Sequence, residues 1–189
     1  MSENVIIADA AFVDKVAFDL IVNFERMLER WIPQADIARL TECVALDGVM
    51  REGEHQTTVI LIRDKEQTEL KNFVPSRLAE ELNGQAFKGN LGEFCFSTPN
   101  GEGFVGKDEL FLDTLQTIIQ QTDVKRVMVI PEESIYNNVR DILRKADDDK
   151  RITVFAMQPM PGGNFRQEIL GFSLMAALGI RGEEINSKQ

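Results

Sequence analysis

Hydrophobic and polar positions follow two periods along this chain, and each change of period marks an element boundary. Val5-Ile6-Ile7-Ala8 is an unbroken apolar run ending at Asp9, the pattern of a strand buried on both faces. After it, Val13, Val16, Ala17, Leu20, Ile21, Phe24, Met27, Leu28 and Trp31 recur at three- and four-residue spacing. That is one face of a long amphipathic helix, which Pro33 brings to a stop. A short helix is expected over Asp36 to Leu40. Cys43-Val44-Ala45-Leu46 then reads either as a strand ending at Asp47-Gly48 or as the continuation of that helix. Val59 to Ile62 is a second fully buried strand. Leu70 to Leu82 is expected to be helical in pieces, interrupted at Pro75 and closed by Asn83-Gly84, while Glu93 to Ser97 alternates as a short strand.

From Lys107 the alternation becomes regular. Leu110, Leu112, Leu115, Ile118 and Ile119 mark a helix and Val127 to Ile130 a strand. Ile135, Val139, Ile142 and Leu143 mark another helix and Ile152 to Ala156 another strand. Phe165, Ile169, Leu170, Leu174, Ala177 and Leu178 mark a last helix that Gly179 ends. Strands alternating with helices through short connections imply a parallel sheet covered on both faces. The expected architecture is one α/β domain over residues 1–180, a three-layer sandwich of Rossmann-like type with a mostly parallel sheet of about five strands. Residues 181–189 are expected to form a polar C-terminal tail.

Charge narrows the partners. The 189 residues include 31 acidic and 21 basic ones, a formal charge of −10. That balance argues against a broad footprint on duplex DNA or an anionic membrane surface, because such binding works by neutralising phosphates. No stretch is long and apolar enough to span a bilayer, and the N-terminus has no basic region of a secretory leader. The expected compartment is the cytoplasm. Cys43 and Cys95 sit in apolar surroundings and read as reduced thiols, and a single histidine, His55, rules out a multi-histidine metal site.

Parallel strands gather the residues that follow them along one edge, where ligands of open α/β sheets bind. Those residues are Asp9, Asp47 if a strand precedes it, Pro131-Glu132-Glu133-Ser134, and Met157 to Asn164. Asp108, Glu109 and Asp113 lie in the first turns of a helix and approach the same edge. Carboxylates converging without lysine or histidine partners repel one another; a divalent cation resolves that, and magnesium or manganese suits such an oxygen-only site. A plainer reading stands beside this one. Asp9 caps the following helix, and Asp108, Glu109, Glu132 and Glu133 offset helix dipoles at helix starts. Met160-Pro161-Gly162-Gly163-Asn164 is turn chemistry or, with Arg166, a phosphate cradle before the last helix, but its spacing matches neither a P-loop nor a dinucleotide fingerprint. No serine, cysteine or lysine has a recognisable base beside it.

The order of elements and three short motifs resemble the NYN domain, a branch of the PIN-like nuclease fold. Val5-Ile6-Ile7-Ala8-Asp9-Ala10-Ala11 is similar to its opening strand, with Ala11 where the family has asparagine. Gly106-Lys107-Asp108-Glu109-Leu110-Phe111-Leu112-Asp113 is similar to its lysine-glycine stretch and helix start. Aligned on Asp113, Lys107 stands at the family's acid position, and a one-residue shift brings Asp108 there. In Pro131-Glu132-Glu133-Ser134-Ile135, Glu133 falls at the first aspartate of the family's next motif and Ile135 at the second. The block from Gln158 to Ile180 also resembles small bacterial proteins without an assigned activity.

The resemblance implies that Asp9, Asp108 and Glu133 are the ligands of magnesium or manganese, with Asp113 in the outer shell, and that the metal activates water to cleave RNA. Two functions follow. One is a catalytically degenerate PIN-like protein acting as a binding or assembly module. The other is a metal-dependent ribonuclease of NYN type. The corresponding partners are RNA or a nucleotide, or a second copy of the chain. The module is expected to show an exposed apolar patch near Met157, Met160 and Phe165.

Overall fold

The computed structural model describes residues 1–187. Its strands are β1 (Asn4–Asp9), β2 (Ala35–Asp36), β3 (His55–Ile62), β4 (Phe73–Val74), β5 (Ala86–Gly89), β6 (Gly92–Ser97), β7 (Arg126–Ile130), β8 (Arg151–Ala156) and β9 (Arg166–Ile169). The helices are α1 (Ala10–Leu28), α2 (Ile37–Asp47), α3 (Lys107–Gln120), α4 (Tyr136–Leu143), α5 (Leu170–Ala177) and α6 (Gly182–Ser187). Seven strands form the central sheet in the order β5-β6-β3-β1-β7-β8-β9, and β2 pairs with β4 in a small sheet of its own. Every pair in the central sheet is parallel except β5 with β6. The α/β class and the mostly parallel sheet are as the pattern implied, but the central sheet has seven strands, not about five.

Alternation along β1 divides the interior. Ile6 and Ala8 face a larger core with α1, α2 and α5, while Val5 and Ile7 face a smaller one with α3 and α4. Being covered on both faces is why β1, β3 and β7 read as continuous apolar runs. β1 is central, with β3 on one side and β7 on the other. The chain runs outward from β1 through β3 to β6, then returns through α3 to β7 and continues outward the other way. The crevice between the ends of β1 and β7 is therefore the point where strand order reverses.

Of the two readings open for Cys43–Leu46, the continuous helix is the one observed: the segment lies inside α2, whose N-terminus is capped by Asp36 accepting a bond from Ala38 N–H at 2.9 Å. Several elements differ from the sequence reading. α1 ends at Leu28, with Glu29 in the left-handed region at φ 53°, so Trp31 leaves the apolar face and is 75% exposed. The stretch from Leu70 to Leu82 yields β4 and one π-helical turn at Leu78–Leu82. Arg166–Ile169 is a strand because its backbone pairs with Thr153–Ala156 of β8. The helical spacing there begins only at Leu170. The segment expected as a polar tail carries α6, where Glu184 accepts two hydrogen bonds from Arg30, from Nε at 2.7 Å and Nη2 at 3.0 Å. Among the described residues no helix is long and apolar enough to cross a membrane.

Candidate functional site

Asp9 is the last residue of β1 and the N-cap of α1, and its Oδ1 accepts the Phe12 N–H at 2.9 Å. The capping reading of Asp9 thus describes one of its two oxygens. The other, Oδ2, accepts a hydrogen bond from Lys107 Nζ at 2.7 Å. The same ammonium donates to Glu132 Oε2 at 2.8 Å and to Asp108 Oδ1 at 3.3 Å. One cation therefore holds three carboxylates, one from the end of β1, one from the loop after β7 and one from the first turn of α3. All meet in the crevice where strand order reverses.

Lys107 is an unfavourable residue at the first position of a helix, where the dipole favours negative charge. Its position is explained by tertiary contacts. Its backbone N–H donates to Asp64 Oδ1 at 3.2 Å, so the carboxylate that follows β3 helps fix the start of α3. From there the side chain reaches across the sheet edge.

The group is graded in burial. The Asp9 side chain is 1% exposed and that of Lys107 17%, whereas Asp108 and Glu132 are nearly half exposed. Burial raises the Asp9 carboxyl above its ordinary value, and the Glu132 charge adds to the rise. The Lys107 bond and charge and the Phe12 N–H oppose it. For Lys107, burial pulls downward, but the bonds to Asp9 and Glu132 and the charges of Asp9 and Asp108 outweigh it. The amine is held above the ordinary lysine range and stays an ammonium.

The ligand set implied by the sequence is partly reassembled. Asp9 and Asp108 come together, but the third carboxylate is Glu132. One ligand oxygen from each of Asp9, Asp108 and Glu132 lies within 4.8 Å of the others. Glu133 points elsewhere: its Oε1 accepts the Met157 N–H at 3.1 Å and its Oε2 the Gln158 side-chain amide at 3.4 Å, which tethers the loop after β8. Consecutive residues in the short 3₁₀ turn after β7 diverge, so the neighbour takes the site position. Asp113 is exposed on α3, outside the group. Asp47 ends α2 and accepts a hydrogen bond from Ser173. Ile135, at the family's second aspartate, is buried in the smaller core.

The Gly162-Gly163 segment leads into β9 and not into a helix, and it is held by its carbonyls. Tyr136 donates to Pro161 O at 2.6 Å and Arg140 to Gly162 O at 2.6 Å, while Arg166 pairs with Glu168. That arrangement leaves no helix N-terminus to cradle a phosphate. The sequence reading placed Glu132 at the edge but took Glu133 as the third carboxylate, and it did not include Lys107, whose side chain contradicts the expectation that no lysine partners the carboxylates, or Asp64. The signal available for Lys107 was its place at the acid position when the motif is aligned on Asp113.

Beside the group, an open cavity of about 710 Å³ runs between α1 and the segment after β3. Its lining includes Asp14, Asp64, Glu66 and Glu69 against Lys15 and Lys71, with Phe18 53% exposed at its wall. Asp14 anchors the far side, accepting the backbone N–H groups of Lys71 and Asn72, each at 2.9 Å.

Residues 1–185 match the model of one family, described as a family of unknown function (DUF6621). No curated protein and no solved structure matches the chain.

Proposed function

The chain belongs to this DUF6621 family, which brings no activity with it, and we propose from the geometry that it is a catalytically degenerate PIN-like α/β protein acting as a binding or assembly module. The observation that carries this reading is the Lys107 ammonium among Asp9, Asp108 and Glu132. A divalent cation bound by those oxygens needs the space and the lone pairs that the ammonium takes, and two like charges cannot share the centre. As folded, the donor set does not fit magnesium or manganese. The group's role in this reading is to lock the ends of β1 and β7 to the start of α3.

Two further features support a module. The adjoining cavity carries four carboxylates against two ammonium groups and exposes Phe18. That chemistry suits a basic, partly apolar polypeptide segment better than the phosphates of RNA. The helices over the larger core also expose apolar side chains, with Phe18, Val22 and Met27 on α1, Leu46 on α2 and Phe172 on α5. The expected patch around Met157, Met160 and Phe165 is instead half-buried, with Phe165 edge-on to Tyr136 at 6.4 Å.

The metal-dependent ribonuclease stands as a second reading, favoured by the mutual approach of the three carboxylates within 4.8 Å. It requires Lys107 to leave the group. The test is labelled single-stranded RNA incubated with manganese and the purified chain, beside Asp9→Asn. The module reading expects no cleavage that depends on Asp9. Cleavage by the native chain that Asp9→Asn abolishes would replace it with the nuclease.

A further inference from the structure

At the opposite edge of the sheet, where the strands begin, Asn4, Arg126 and Arg151 are register partners across β1, β7 and β8. Neighbouring strands are about 4.8 Å apart and register partners share a face. The two arginines are therefore side by side at the rim of the larger core, to which Ile6 and Met128 belong one step along their strands. Asn4 is buried, Arg126 half-buried and Arg151 exposed.

Hydrogen bonding of this pair is incomplete. Arg126 Nη1 donates to Asn4 Oδ1 at 3.1 Å, and Asn4 Nδ2 donates to Gln56 O at 3.1 Å. Arg126 Nε is shielded from solvent and has no partner among the described residues. Neither guanidinium forms an ion pair among the described residues. This holds in a chain with ten more acidic than basic residues, where arginines readily find carboxylates. Burial, and then the Arg151 charge, hold Arg126 below the ordinary arginine range, with Glu3 acting the other way. The two cations thus repel each other across one rung of the sheet.

A cavity of about 280 Å³ opens over them, lined also by Glu3, Asn4, Lys125 and Asp149. Lys125 and Asp149 neutralise each other at 2.8 Å, which leaves the two guanidiniums facing Glu3 alone. We propose that Arg126 and Arg151 form a binding site for a small tetrahedral oxyanion, either inorganic phosphate or the phosphate of a small monoester. A doubly charged anion between them offsets both charges and accepts hydrogen bonds from the two guanidinium groups that line the cavity. The planar guanidinium fork matches phosphate oxygens two at a time. The volume is just below that of drug-sized pockets, so the organic part of a monoester is small. The site lies at the other end of the strands from Asp9 and Lys107 and does not depend on the function proposed for them.

The test is calorimetric titration of the full chain at low ionic strength with inorganic phosphate in one arm and methyl phosphate in the other. Saturable one-to-one binding is expected in at least one arm, and the tighter arm identifies the source of the phosphate. Arg151→Gln, at an exposed position, is expected to weaken binding by about tenfold or more. Arg144→Gln, which breaks an ion pair with Asp141 next to α4, is expected to leave it unchanged. The Arg126 Nε–H resonance is expected to shift on titration. No saturable binding in either arm, or full affinity retained in Arg151→Gln, overturns the proposal.

Discussion

Lys107 Nζ lies 2.7 Å from Asp9 Oδ2, although 98 positions separate the two residues. The contact joins the end of the central strand to the start of a helix that packs on the opposite face from α1. Its energetic meaning is asymmetric. A buried ion pair adds little over an apolar replacement of both partners, but removing one partner strands the other charge.

Lys107→Met is therefore expected to destabilise the fold by about 3–5 kcal/mol near neutral pH, measured by urea denaturation. The loss should shrink in mild acid. Burial already raises the Asp9 carboxyl, and without the ammonium it rises further, so protonation removes the stranded charge earlier. The loss should shrink in strong alkali as well. The native Lys107 pKa lies above its unfolded value, so its contribution is complete below about 10.5 and fades as pH climbs through the folded value. The variant should lack that alkaline limb. Asp9→Asn combined with Lys107→Met should cost less than the sum of the single changes.

Manganese titration distinguishes the two neighbouring glutamates. Lys107→Ala empties the centre of the carboxylate group and is expected to bind manganese measurably more tightly than the native chain. Adding Glu132→Gln should abolish the gain, whereas adding Glu133→Gln should leave it, because Glu133 faces Met157 and Gln158. Calorimetry on the four proteins reads this directly.

The attachment of α6 should weaken in acid. Glu184 accepts bonds from Arg30 and from the Arg181 N–H, which hold its pKa at about 2, below the ordinary 4.5. A depressed carboxyl stabilises the folded form above its unfolded pKa and loses that effect as pH falls through the folded one. Amide protection of residues 182–187 is expected to be steady above about pH 4.5 and to fall towards pH 2, and to be low throughout in Glu184→Gln.

Gly92 tests the packing of β6 on β3. Its φ is +100°, and a Cβ there would lie 2.1 Å from His55 O, so Gly92→Ala must both strain the backbone and part the strands. A cost of about 2–4 kcal/mol is expected. Gly84 also has positive φ, at +80°, but open space around it, and Gly84→Ala should cost only about 1–2 kcal/mol. Equal effects in thermal unfolding would contradict the steric account.

What the sequence determined by itself was the set of apolar faces and the carboxylate at the end of the first strand. Val5 to Ala8, Val59 to Ile62 and Val127 to Ile130 are buried on both sides, and burial writes itself into residue type. Asp9 was legible because a strand end followed at once by a helix calls for a cap. Edge strands were less legible: Ala86–Gly89 and Arg166–Ile169 have one sheet neighbour each and exposed or half-buried side chains, so no apolar run announces them. Only the tertiary structure decided which residues share the acidic edge. Whether Glu132 or Glu133 turns inward depends on one short turn after β7, and Lys107 meets Asp9 only because α3 returns the chain to the far side of β1. Local propensity disfavours a lysine at that helix start. The long-range pairing of one ammonium with three carboxylates overrides it, because opposite charges brought together at a partly buried edge attract far more strongly than a single helix dipole repels.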